Sequence, residues 1–322
     1  MNKTRKQFFL TTVGLALVMA LFPMWLGEFY LHVVTIGLFY VILAISWNLL
    51  AGYAGQLSLA HHAFAAVGGY ASALLFLYGS EALGTPLPLW TTIIFGTIFS
   101  GLVGYGLGSV CLNMRRIYLA ITTWAFAESF RLWVMSEYEI TRGDLGLSTE
   151  LLFDTSDPTP FFYVFLGATA LCLWIVFEII RSPAGFYLRA LRDDEEAAQA
   201  MGVDTVRWKR FAFTASSAMA GFAGTLQAHY IGMLTPTPIK FNEMAIILVM
   251  VIAGGLRSFW GPAIGAMFIQ VLAEALRDYA EYRMVLFAVM VLAIMRFYRE
   301  GIFGMMRDGV AILRSQPIRG ST

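Results

Sequence analysis

Charge is the scarcest property of this chain. Only 13% of its 322 residues are Asp, Glu, Lys or Arg, and the formal net charge is +1, whereas soluble domains carry about 25% charged residues. That shortage excludes a disordered chain, a nucleic-acid binder with a basic face and an ordinary soluble enzyme. Cysteine is almost missing too. Cys111 and Cys172 each lie in an apolar run, which suits neither a disulfide framework nor a metal site. The four histidines, His32, His61, His62 and His229, have no zinc-like spacing to cysteine. No G-x-x-x-x-G-K-[ST] loop occurs, so any ATP used must be bound by another chain. The longest polar stretch, Arg181–Arg210, is too short to bury a core.

Apolar residues are what is abundant, at 58% of the chain. A spanning helix needs about 20 of them in a row, because helical rise is ~1.5 Å per residue and the hydrocarbon core is ~30 Å thick. Ten segments are candidates: Phe8–Gly27, Phe29–Leu50, Leu57–Tyr78, Leu89–Met114, Ile117–Met135, Phe161–Ile180, Phe211–Met233, Met244–Gly255, Phe259–Leu276 and Met284–Tyr298. Met244–Gly255 is too short to cross alone. Phe8–Gly27 follows Lys3, Arg5 and Lys6 as a signal peptide would. Its apolar core is too long for one and no small-x-small cleavage site follows, so a retained span is expected. The expected fold class is therefore an all-α integral membrane protein of about ten transmembrane or half-membrane helices, with a pattern that admits an inverted repeat.

Basic residues in loops set the orientation. With a cytoplasmic N-terminus, 17 of the 22 Lys and Arg fall inside, and the outer loop Glu137–Asp157 holds six acids against Arg142 alone. Both termini are expected in the cytoplasm. A single polytopic domain covers 1–322, with a cytoplasmic loop at 181–210 and an outer loop at 136–159.

Four features could carry function. The run from Asn48 to Tyr70 places Gly52 and Gly55 where one helix ends and another begins, with Asn48, Gln56, Ser58, His61 and His62 at membrane depth. Unwound backbone is tolerated there only when buried in protein or lining a cavity, and a new helix start can face an anionic group. The same spacing also fits a tight hairpin without a ligand. Ala253–Ala266 repeats that character, with Gly254, Gly255 and Ser258 before a small-residue helix. Paired glycine-broken segments, one in each half, point to a transporter. In the third feature, Pro183 and Gly185 are expected to end the preceding span, and Asp193–Met201 to form a short exposed helix closed by Gly202. It reads either as a solvated linker or as a partner-docking helix. Lastly, Glu128, Glu178, Glu243 and Glu274 lie in apolar runs. A mid-membrane charge costs roughly 2.5–3.5 kcal/mol. Glu128 has Arg131 three residues on, a pairing distance on one helix face, which suits a structural clamp better than a pathway. Gly104/Gly108 and Gly261/Gly265 are close-packing pairs, and His32 and His229, near the outer ends of spans, are expected as interfacial polar tips rather than ligands.

Three fragments in order, NLLAGYAGQLSLAHHAFAAVGGYASALL, SPAGFYLRALRDDEEAAQAMGVDTVRWKRFAFTASSAMAGFAGTLQA and IILVMVIAGGLRSFWGPAIGAMFIQVLAEALR, resemble the permeases of branched-chain amino acid ABC importers, M-type subunit, over about residues 30–305. The resemblance implies a second permease subunit, two cytoplasmic ATPase subunits that bind ATP and Mg, and a periplasmic solute-binding protein. It implies no cofactor on this chain, no nucleic acid, and a place among the lipids of the bacterial inner membrane. Glu196-Ala197-Ala198 and Gly202 are similar to the coupling motif of ABC importer permeases, so Arg192, Asp193, Glu196, Ala197, Ala198 and Gly202 would dock on the ATPase. Asn48, Gly52, Gly55, Gln56, Ser58, His61, Gly254, Gly255 and Ser258 would line the translocation path, with Glu128, Arg131 and Glu243 as intramembrane polar groups. The chain departs from the family pattern at Arg142, Arg257 and Ala60, where glycine is usual. Relatives carry branched-chain amino acids, urea, amides or aromatic acids. The competing reading is a secondary transporter driven by an ion gradient, with Glu128 and His61–His62 as ion-linked groups. No convergent nucleophile and base suggest catalysis.

Overall fold

The computed structural model describes residues 3–111, 114, 116–155, 157–256 and 258–277, together with 285, 289, 292, 296 and 301–304. Arg115, Arg257, most of Met284–Tyr298 and the basic C-terminal stretch lie outside the described residues. The chain is almost entirely helical. Helices α1 (Lys3–Ala20), α2 (Glu28–Asn48), α3 (His61–Leu83), α4 (Leu89–Cys111) and α5 (Arg116–Ser136) come first. A short α6 (Tyr138–Thr141) and strand β1 (Leu147–Ser148) lead to α7 (Thr159–Arg181). Then follow α8 (Pro183–Asp193), α9 (Glu195–Ala200), α10 (Thr205–Ile231), β2 (Met233–Leu234), α11 (Phe241–Gly254) and α12 (Gly261–Ala275). Strands β1 and β2 pair antiparallel, Leu147 opposite Leu234, and tie the two outer connections together.

Among the described residues, four helical stretches are long and apolar enough to cross a membrane: Glu28–Tyr53, His61–Leu83, Leu89–Cys111 and Thr159–Arg181. Thr11–Met24, Phe241–Gly254 and Gly261–Ala275 are shorter apolar helices. Helices α5 and α10 have the length but a lower apolar content, because charged and small polar residues interrupt them. Helices α11 and α12, of 14 and 15 residues, rise only roughly 21–23 Å each. They pack on each other as a hairpin that turns back at Gly255–Trp260.

Helix α2 is apolar all round, which is the mark of a buried helix. Its window is 83% buried, between α7 and α12 on one side and α10 on the other. A second group, α3, α4 and α10, packs more closely still. Glycines make this approach possible. A Cβ at Gly68 would strike the Gly221 backbone, and one at Gly96 would strike the Gly68 carbonyl and Thr225. Ser100 of α4 donates to the Phe64 carbonyl of α3 and the Ser217 carbonyl of α10, both at 2.9 Å. Gly104 and Gly108 face Ser217 and Phe213, and Gly261 and Gly265 face Gly254, as close-packing pairs. Large apolar side chains such as Ile94, Leu102, Ile117 and Ile121 stand exposed on α4 and α5, a surface that needs an apolar surrounding.

Three local expectations need correction. Pro183 and Gly185 begin helix α8 rather than merely ending the previous span: Ser182 takes an extended conformation and Pro183 supplies the first helical residue, where its missing N–H costs nothing. The exposed helix also starts later than Asp193. Asp193 ends α8, and Asp194 caps α9 by accepting from the Ala197 N–H at 3.0 Å. His229 is not a polar tip. It is fully buried, joined to Ser72 at 2.9 Å and to the Glu150 carbonyl at 2.7 Å.

Candidate functional site

At the end of α2 the helix widens into a π-turn, Leu49–Tyr53, and then unwinds until α3 begins at His61. The unwound backbone finds partners inside the protein, as membrane depth demands. Gln56 N–H donates to the Leu50 carbonyl at 3.0 Å. Trp47 Nε1 donates to the Ser58 carbonyl at 2.7 Å, and the Leu59 N–H donates to Thr123 Oγ1 at 2.9 Å. Gly55 has φ +68°, and a Cβ there would lie 2.9 Å from the Arg192 Cα, so both backbone and space require glycine.

The second break, after Gly254, meets the first. Asn48 Nδ2 donates to the Ser258 carbonyl at 3.2 Å. A Cβ on Gly52 would collide with Asn48 Oδ1 and with the Leu256 carbonyl. Gly255 turns the chain at φ +118°. Ser258 Oγ then accepts from the Gly261 N–H at 2.7 Å to start α12. Five of the residues expected on the path, Asn48, Gly52, Gly254, Gly255 and Ser258, thus converge from opposite halves of the chain. Gly55 joins them from the side facing Arg192.

Gln56, Ser58 and His61 lie beside this junction, each at most 2% exposed. His61 Nε2 meets Ser216 Oγ at 2.7 Å, and Ser216 Oγ donates to the Ser46 carbonyl at 2.8 Å. Because the serine proton is committed, the ring nitrogen is the donor. Together these groups form a packed polar seam. Glu128 and Arg131 stand apart on α5, where the guanidinium Nε contacts both carboxylate oxygens at 3.0 and 3.1 Å, as their i,i+3 spacing implied. Glu243 sits in the first turn of α11, at the far end from the break, and accepts from Tyr40 Oη at 3.4 Å.

Of the residues expected to couple, Arg192 reaches the junction. Arg192, near the end of α8, donates from Nη1 to the Gly52 carbonyl at 3.2 Å and from Nε to Asp193 at 2.9 Å. Helix α8 is held to α10 by Tyr187 stacked on Trp208, with ring centroids 4.8 Å apart. Glu196 and Ala197 are exposed while Ala198 is buried. Gly202 closes α9 at φ +83°. Sequence reasoning missed three members of this assembly. Lys209, only 3% exposed, pairs with Glu195. Met201 projects beside Gly202 at 85% exposure. Ser216 anchors His61. Only Met201 was legible in advance, as an apolar residue inside a charged stretch.

Broken helices that meet in a buried seam, inside a bundle with an apolar exterior, are the build of a membrane transport protein. The chain belongs to the family of branched-chain amino acid transport system permease components, whose sequence profile matches residues 29–295. It is 30% identical to the high-affinity branched-chain amino acid transport system permease protein LivM of Salmonella typhimurium, over 94% of this chain and 77% of that protein. Against Escherichia coli LivM the identity is 31%, over 92% and 75%. The permease protein LivH of Salmonella typhimurium is 24% identical over 84% of this chain and 93% of its own length. No solved structure gives a significant match.

Proposed function

We propose that this chain is the transmembrane permease subunit of a binding-protein-dependent ABC importer for branched-chain amino acids or a related small solute. Its relatives LivM and LivH bear the name of that transport system. In this reading a second permease subunit completes the path, and a periplasmic binding protein delivers the solute. Two cytoplasmic ATPase subunits bind ATP and Mg, and this chain binds no cofactor. The protein sits in the bacterial inner membrane with both termini and the 181–210 loop in the cytoplasm, and the 136–159 loop outside.

The observation that carries the reading is the contact between Arg192 and the Gly52 carbonyl. A short helix bearing exposed Glu196 and Ala197, with exposed Met201 at its end, is thereby attached, through α8, to the π-turn that ends α2. Nucleotide-driven motion of an ATPase groove holding α9 would reach the break through Arg192, whose guanidinium meets Gly52 and whose backbone packs on Gly55. The solute would pass beside the seam of Asn48, Gly52, Gly55, Gln56, Ser58, His61, Gly254, Gly255 and Ser258. The test is co-purification with the partner subunits, followed by ATPase assay with the loaded binding protein. Stimulation by the loaded protein is expected, and Glu196→Lys combined with Gly202→Trp is expected to abolish it. Normal assembly and transport in that double variant would refute the coupling assignment.

A further inference from the structure

A cavity of about 190 Å³ lies between α3, α10 and the connection that follows β2. Polar atoms enter it from His62 and Tyr70 of α3, Gln227 of α10 and Thr235; small and apolar residues, among them Ala65 and Leu234, complete the wall. His62 and Tyr70 are 5% and 2% exposed, yet His62 Nε2 and Tyr70 Oη have no hydrogen-bond partner among the described residues. An orphaned buried polar atom is costly, at about 1–3 kcal/mol. Two in one cavity are uncommon enough to need an explanation.

We propose that this cavity is a solute subsite for a small, net-neutral molecule with an aliphatic body and N–H donors. The inference deepens the importer reading and rests on it. Four observations fix the chemistry. No charged side chain lines the wall, so an ion of net charge would be left uncompensated. The volume is below the roughly 300 Å³ at which drug-sized ligand sites begin, which admits only a molecule of a few heavy atoms. His62 Nε2 is the unpartnered ring nitrogen, and with its proton on Nδ1 the imidazole offers Nε2 as an acceptor for a solute N–H. Tyr70, about two turns along α3, lines the same cavity and supplies an Oη donor for a carbonyl or carboxylate oxygen. Tyr40 holds the imidazole edge to face, with ring centroids 6.2 Å apart. Ala65 and Leu234 receive the aliphatic part. A zwitterionic amino acid and a simple aliphatic amide share this chemistry.

Two arms separate them and test the site. In proteoliposomes holding the complete transporter, His62→Gln and Tyr70→Phe should each raise the KM for labelled leucine about tenfold, the scale of one lost hydrogen bond to a charged group. Expression, assembly and melting temperature should match the parent. Unchanged KM in both variants would overturn the proposal. The second arm needs neither substitution. Cys111 and Cys172 are buried, so in Thr235→Cys the new thiol, at a half-buried position, is the reactive one. Leucine should slow its maleimide labelling and lysine should not. Protection by isovaleramide but not leucine would assign the cavity to amides. Protection by neither would overturn the proposal even if the substituted variants misfold. If the unsubstituted complex takes up none of the probes, the importer reading fails, and the labelling arm still decides the cavity.

Discussion

The Arg192 guanidinium and the Gly52 carbonyl, 140 residues apart in sequence, meet at 3.2 Å. Gly52 can offer that carbonyl because it lies in the last turn of the helix, whose π-turn ends at Tyr53, and terminal carbonyls have no helical donor ahead of them. Arg192→Ala should leave the complex assembled and basal ATPase activity intact. Solute uptake should drop about tenfold or more, the scale of a lost charge-assisted hydrogen bond. Uptake and ATPase activity measured in the same proteoliposomes check this. A parallel fall in both would indicate lost folding rather than lost coupling.

Glycine at the break is required by space in one place and by conformation in another. Gly52→Ala would drive a methyl into Asn48 and the Leu256 carbonyl and should cost about 1–3 kcal/mol of overpacking. Gly106, within α4, has no neighbour within 4 Å of a built Cβ. Gly106→Ala should be neutral or stabilising by up to about 1 kcal/mol. Thermal unfolding of the two variants in detergent makes the comparison.

The Glu128–Arg131 pair distinguishes the two transport classes. A bidentate contact within one helix neutralises both charges where each alone is expensive. Glu128→Gln should therefore lower thermal stability yet leave solute KM within about twofold, because one intrahelical pair is worth only ~0.5 kcal/mol. An uptake rate that lost its dependence on the proton gradient in this variant would instead favour ion coupling. Measuring uptake with and without a protonophore decides the matter.

Arg142 is the one non-glycine residue with positive φ among those described, at +61°. It stands between Thr141 and Gly143, where the resemblance implied glycine. The left-handed region costs an ordinary residue roughly 1–2 kcal/mol, part of which glycine's greater freedom in the unfolded chain cancels. Arg142→Gly should raise thermal stability by up to about 1 kcal/mol and leave leucine KM unchanged. Calorimetry of the purified chain and an uptake curve test both halves.

Much of this architecture was readable in advance. Apolar runs located the helices, because burial in lipid or protein leaves few other uses for them. Glycine pairs marked both breaks and the close helix contacts, and the Glu128–Arg131 spacing foretold its pair. Boundaries were less legible. The stretch 57–60 is as apolar as a helix start, yet its backbone is drawn off by Trp47 and Thr123, 11 and 64 residues away in sequence from the groups they bond. Pro183 looked like a terminator because proline both ends and begins helices. The meeting of Asn48 with Ser258 and of His61 with Ser216 joins residues more than a hundred positions apart, which no local pattern encodes. His62 and Tyr70 drew no attention as a pair, since a cavity is a property of three elements together.

The glycine-to-backbone contacts among α3, α4 and α10 have a mechanical consequence. Where not even a methyl fits between Gly68 and Gly221, or between Gly224 and Ala65, the three helices cannot slide past one another without large overlap. They are expected to travel as one stiff body, and the hinge must lie elsewhere, at the unwound segment that joins α2 to this trio. Spin labels placed across the trio should keep a constant separation through the nucleotide cycle, while labels spanning α2 and α3 should change theirs.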